Sequence, residues 1–134
     1  MITVFFDGAC EPKNPGGTAS YGVIILNNGK EIHRETKIVC KGNGASNNVA
    51  EYNGLINALR WLYARRLQDE EILCKGDSKL VVEQMSGRWG INKGIYVEWA
   101  LKCKEALKYF TNIKLAWIPR EQNIADAISR KVAR

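Results

Sequence analysis

The sequence has a single histidine, His33, and no two of its four cysteines, Cys10, Cys40, Cys74 and Cys103, stand at CxxC spacing. That pattern gives no basis for a zinc centre or a disulfide framework, and reduced thiols of a cytoplasmic protein are expected. No apolar run approaches the roughly 20 residues of a membrane helix, so no membrane partner is expected. The N-terminus lacks a basic segment and reaches Asp7 at once, which argues against a secretory signal. Low-complexity tracts and internal repeats are also missing, leaving one domain over residues 1–134.

What is present suits a compact domain. A chain of 134 residues buries about two-thirds of its unfolded surface, enough for a core without staples. Hydrophobic residues make up 46% and charged residues 25%, an ordinary globular balance. The net charge of +6 favours a polyanionic partner, although many soluble proteins are this basic.

Along the chain, residues 2–7 read as a buried strand, 11–17 as a Pro/Gly loop and 20–26 as a second strand. Asn27-Asn28-Gly29 signals a hairpin into a third strand over 31–39, where Ile32, Arg34, Thr36 and Ile38 share one face. A helix is expected over 47–66, capped by Ser46 or Asn47, with Tyr52, Leu55, Ile56, Leu59, Leu62 and Tyr63 as its apolar stripe. Then follow a strand over 71–77, a short helix over 78–86 and a loop over 87–94. A helix over 97–110 turns Val97, Ala100, Leu101, Leu107 and Phe110 inward. A strand over 113–118 and a last helix over 124–132 complete the chain. Hairpin-linked strands followed by helix crossovers predict a mixed α/β fold, its first, fourth and fifth strands parallel.

Four acids border sequence that should be core: Asp7 after an apolar run, Glu51 in the first turn of the long helix, Asp77 after a strand, and Asp126 within Asn123-Ile124-Ala125-Asp126-Ala127-Ile128. Singly, each has a plain reading as turn residue, helix-dipole partner, cap, or i+4 partner of Arg130. Jointly they converge on one rim of the sheet, where ligands of such folds bind. None has an obvious basic partner in the flanking core sequence. Two such charges about 5 Å apart repel by roughly 3 kcal/mol at an effective dielectric near 20. Gathering them calls for a cation, and a carboxylate-only set suits Mg²⁺ or Mn²⁺.

The ordered motifs Phe6-Asp7-Gly8-Ala9-Cys10 with Asn14-Pro15-Gly16-Gly17, Asn47-Asn48-Val49-Ala50-Glu51, Gly76-Asp77-Ser78 and Asn123-Ile124-Ala125-Asp126 resemble those of type 1 ribonuclease H. The resemblance spans nearly the whole chain. It implies a ribonuclease H-like fold: a five-stranded mixed sheet of order 3-2-1-4-5, three antiparallel strands plus two parallel, flanked by helices. It implies a monomeric endonuclease that hydrolyses the RNA strand of RNA–DNA hybrids with two Mg²⁺ or Mn²⁺ ions, leaving 5′-phosphate and 3′-hydroxyl ends. Asp7 then resembles the acid shared by both ions, Glu51 and Asp77 those of the first site, and Asp126 the ligand of the second.

The resemblance also suggests substrate contacts. Asn14, Asn47 and the Cys10 backbone match positions facing the RNA strand, Ser46 a hydroxyl near the DNA phosphate, and Lys79 a polar position beside the site. Turn and cap chemistry accounts for Asn14 and Asn47 equally well. Trp89 is a candidate for stacking on the DNA strand or a half-buried loop aromatic. Two features depart from many relatives. Only residues 87–94, with Arg88 and Lys93, stand where a basic protrusion is common. The loop before Asp126, Pro119-Arg120-Glu121-Gln122, has no histidine, and Arg120 or Glu121 is the candidate substitute. Lys102, Lys104 and Lys108, or Arg130, Lys131 and Arg134, are candidate basic surfaces. This compact pattern resembles the archaeal and some bacterial branches. The alternatives are a catalytically silent nucleic-acid-binding module and a related nuclease that also cleaves double-stranded RNA.

Overall fold

The computed structural model describes residues 1–130. Strands β1 (Ile2–Glu11), β2 (Thr18–Asn27) and β3 (Lys30–Lys41) form an antiparallel meander. Helix α1 (Asn47–Ala64) crosses to β4 (Ile72–Gly76), and α2 (Lys79–Met85) and α3 (Val97–Leu107) lead to β5 (Ile113–Trp117). A 3-10 turn at Arg120–Gln122 precedes the short helix α4 (Asp126–Ser129). The strands lie in the order β3-β2-β1-β4-β5, with β4 parallel to both β1 and β5, as expected. The β2–β3 hairpin turns on Asn28 and Gly29, at φ 51° and 84°, where Asn and Gly are the residues that tolerate positive φ.

Alternation along β1 divides the core between two faces. Ile2, Val4 and Phe6 join Leu55, Leu59 and Leu62 of α1 in the main cluster, to which α3 adds Ala100 and Cys103. Each fully buried leucine here contributes roughly 1.5–3 kcal/mol. Phe5 points the other way and packs with Ile24, Ala125 and Ile128 in a small cluster beneath α4. The sheet therefore carries α1 on one face and α4 on the other, and both reach β1.

Several expectations need correction. Tyr63 and Leu101 are about half exposed, and Cys103 fills the inward position on α3. Register shifts in the β2–β3 pairing break the predicted alternation, so Ile32 packs against the main core while Arg34 and Thr36 pair on the opposite face. Glu51 is the fifth residue of α1, and the first turn holds no acid. The last helix begins at Asp126 rather than Ile124. Val132, its expected end, and the candidate basic residues Lys131 and Arg134 lie outside the described residues. Strand β1 runs beyond Asp7 because β2 stays paired with it from Asp7↔Gly22 to Glu11↔Thr18. Its parallel pairing with β4 stops at Phe5↔Lys75. The two strands thus part just before Asp7, which opens a cleft at the carboxyl end of β4.

Candidate active site

Asp7, Glu51 and Asp77 meet in that cleft. One carboxylate oxygen from each lies within 4.8 Å of the others. Backbone contact sets the spacing: a Cβ on Gly8 would fall 2.4 Å from the Glu51 nitrogen, so β1 touches α1 there and their acids become neighbours. On the opposite face, Gly22 admits α4, since its Cβ would meet the Ile128 side chain at 2.7 Å and the Ala125 carbonyl at 2.9 Å. That approach brings Asp126 into the same cleft of about 220 Å³. A larger cavity of about 380 Å³ between α1 and α3 is lined by Leu59, Tyr63, Tyr109 and Phe110 and has no carboxylate in its lining, so chemistry favours the smaller one.

Asp126 is not part of the three-acid cluster. Its Oδ1 accepts from Arg130 Nη1 at 3.0 Å and Arg120 Nε at 3.2 Å. The plain reading of Asp126 as the i+4 partner of Arg130 therefore holds, so this acid, unlike the other three, has a basic partner close in the sequence. Among the described residues Asp7, Glu51 and Asp77 pair with no lysine or arginine.

The electrostatics follow from this division. Burial, a hydrogen bond with Asp126 and the nearby Asp77 charge push the Asp7 carboxyl up to about 7. Burial, then the charges of Asp7 and Asp77, push Glu51 well above the usual carboxylate range. Asp126 moves the other way. Burial opposes its charge, but hydrogen bonds from Asp7 and Arg130 and the two guanidinium charges hold it low. Glu51 Oε2 is buried without a hydrogen-bond partner. These features fit a divalent cation. All donors are hard oxygens, a buried one is unsatisfied, and ligands about 2.0–2.6 Å from a common ion lie no more than about 5 Å apart.

Three further side chains hold the acids in place. Asn123, 4% exposed, donates from Nδ2 to the Phe6 carbonyl at 2.9 Å and to Asp77 Oδ2 at 3.0 Å, and its Oδ1 accepts from the Ala125 amide. The buried Ser129 hydroxyl is 2.9 Å from Asp7 Oδ2, positioned to donate to it. The Trp117 indole donates to the Asp77 carbonyl at 3.0 Å. Asn123 belongs to a recognised motif, yet its sequence gives it no role. Ser129 and Trp117 carry no sequence signal, because only the tertiary approach of α4 and β5 brings them in. Asn123→Ala strands the Phe6 carbonyl and unties Asp77. A loss of about 1–3 kcal/mol in urea unfolding is expected, together with a 10–100-fold fall in turnover at saturating hybrid, the range typical of outer-shell partners.

The candidate substrate contacts separate into two groups. Cys10, Asn14 and Asn47 line the cleft. Asn14 and Asn47 clasp each other, with Asn14 Nδ2 donating to Asn47 Oδ1 at 2.7 Å and the Asn47 amide to Asn14 Oδ1 at 3.1 Å. Arg120 also lines the cleft. Ser46 caps α1, its hydroxyl accepting from the Val49 amide. Glu121 is exposed on the 3-10 turn, and Trp89 is exposed in the loop after α2. The Lys79 ammonium lies 5.3 Å over the Trp117 ring. His33 stacks on Trp61 at 4.4 Å and meets Glu35, a structural setting away from the cleft.

A family model described as reverse transcriptase-like matches residues 5–132. The chain belongs to this family, and the relatives it matches include a type 1 ribonuclease H. The Ribonuclease HI of Halobacterium salinarum is 32% identical over 131 residues, covering 97% of this chain and 63% of that protein. A bifunctional protein of Mycobacterium tuberculosis is 37% identical over 111 residues, covering 82% of this chain and 29% of that protein. The chain thus spans less than a third of the length of its mycobacterial relatives. The solved structure of LC11-RNase H1 in complex with an RNA/DNA hybrid superposes with a TM-score of 0.85 at 29% identity, covering 98% of this chain and 95% of that one. The five-stranded sheet and its order are those of the type 1 fold.

Proposed function

We propose that the chain is a metal-dependent endonuclease that hydrolyses the RNA strand of RNA–DNA hybrids. The observation that carries this reading is the trio Asp7, Glu51 and Asp77, gathered within 4.8 Å without a basic partner among the described residues. Intact, mutually repelling buried acids serve no purpose in a silent module. Asp7, Glu51 and Asp77 would hold one Mg²⁺ or Mn²⁺ ion, and Asp7 with Asp126 a second. Bound there, such ions supply Lewis acidity and neutralise charge developing on a phosphodiester. Asn123 and Ser129 hold Asp77 and Asp7 in register. Asn14, Asn47 and the Cys10 backbone present hydrogen-bonding groups at the cleft mouth, where the RNA 2′-hydroxyl is the feature that separates hybrid from DNA. Arg120, on the cleft wall, provides a positive charge for the phosphate in the loop that lacks a histidine. The products expected are 5′-phosphate and 3′-hydroxyl ends, from a protein acting as a monomer in the cytoplasm.

The test is cleavage of labelled RNA–DNA hybrid, double-stranded RNA and DNA, each with Mg²⁺ or Mn²⁺. Hybrid cleavage that is lost in Asp77→Asn and weakens with salt is expected. A wild type that cuts none of the three sinks the enzyme reading, and an Asp77→Asn variant as active as wild type sinks the site.

A further inference from the structure

The four acids of the cleft are not treated alike by their surroundings, and the difference lies in Arg130. Its Nε donates to Glu11 Oε1 at 2.7 Å and its Nη1 to Asp126 Oδ1 at 3.0 Å. The guanidinium is thus tied at two points on the cleft wall, with its side chain 22% exposed. Arg120 reaches the same Asp126 oxygen by one bond at 3.2 Å from a side chain 60% exposed. Arg130 is therefore the fixed positive charge and Arg120 the loose one. We propose that Arg130 is a positioning residue that serves as a resident counter-ion of Asp126 and sets the strength of the second cation's binding.

This deepens the two-cation reading of the site and rests on it. A first ion entering among Asp7, Glu51 and Asp77 meets three carboxylates that form no ion pair with a lysine or arginine among the described residues, and of the three only Asp7 lies near enough for its charge to act on Arg130. A second ion at Asp126 meets a carboxylate already neutralised, with a guanidinium beside it. A unit positive charge about 5 Å from a divalent ion weakens that ion's binding on the order of tenfold, even at the dielectric of water. The cations therefore load in order, the three-acid site first. Arg130 also satisfies Asp126 until the second ion arrives, through the bond from its Nη1. A substrate phosphate entering the cleft is a competing anion for the guanidinium, so hybrid binding and second-ion binding reinforce each other.

The test uses the full chain without nucleic acid, titrated with Mn²⁺ while free Mn²⁺ is followed by electron paramagnetic resonance. Wild type should bind one ion tightly and a second weakly. Arg130→Gln should tighten the second step on the order of tenfold and change the first much less. Arg130→Met, which keeps much of the aliphatic stem, should match Arg130→Gln and covers the case in which the glutamine variant folds poorly. Arg130→Lys keeps the charge and should keep the weak second step. A normal first step with an unchanged second step in both neutral variants overturns the counter-ion role alone, as does a lysine variant that behaves like them. A wild type that binds no Mn²⁺ overturns the metal reading and this inference with it.

Discussion

Asp7→Asn is expected to abolish hybrid cleavage and, in the same protein, to raise the metal-free thermal midpoint at pH 8 by on the order of 10 °C. Loss of activity follows from removing the acid assigned to both cation positions. The gain in stability follows from burial. The Asp7 carboxyl is 3% exposed and sits at about 7 in the folded protein, against 3.8 for a free aspartate. Below about pH 4 the group is protonated in folded and unfolded chains alike and has no effect on stability. As pH rises from there, the unfolded chain releases the proton first, and folding stability falls until the folded carboxyl also ionises near pH 7. Above that the loss is complete, at most about 4 kcal/mol for a difference of this size. An asparagine carries no charge, and its amide can donate to Asp126. In EDTA the wild type should therefore melt lower at pH 8 than at pH 5 by more than Asp7→Asn does. Added Mg²⁺ should recover much of the wild-type loss, because a ligand bound only by the folded state stabilises it. A variant that melts no higher than wild type in EDTA at pH 8 would show that the cleft does not store this repulsion.

The same burial explains why so much of the site was legible in the sequence. Acids beside apolar runs are rare without cause, and their order along the chain matched a known set of motifs. The Asn-Gly turn and the helical crossovers made the mixed sheet and its parallel strands legible, while the strand order came from the resemblance. What stayed hidden depends on distances that no local pattern encodes. The Asp126–Arg130 spacing allowed an ordinary i+4 pair, but nothing in it disclosed the Arg120 and Glu11 contacts that turn the pair into a network. Asn123 looked like a motif letter until its amide was seen bridging Phe6 and Asp77. Tyr63 and Leu101 fit the helical period and were misread as core, because the period fixes which face a residue is on but not how far the covering layer extends. The register shifts in β3 likewise leave no mark in a strand of mixed polarity.

Gly8→Ala carries the second large expectation: destabilisation of more than about 3 kcal/mol in urea unfolding and loss of cleavage. The strain is steric. The new Cβ would lie 2.4 Å from the Glu51 nitrogen, 2.7 Å from the Ala50 carbonyl carbon and 2.8 Å from the Ala50 Cβ. Two of these atoms are backbone in the buried N-terminal part of α1, so no side chain can swing aside. Strand and helix must part by about 1 Å to restore ordinary contact. That movement separates Asp7 from Glu51, whose oxygens now sit within 4.8 Å of each other and of Asp77. A displacement of this size at a reacting centre can by itself cost about a hundredfold in rate. Gly90→Ala is the control, since its Cβ would find only the Asn92 side chain at 3.6 Å, an ordinary contact. It should fold and cleave as wild type does. If Gly8→Ala matched that control in both measurements, β1 and α1 would not be in the contact that brings the first two acids together. If it lost activity but kept its stability, the helix would have slid rather than strained, and Mn²⁺ binding at the three-acid site should then weaken in the same variant.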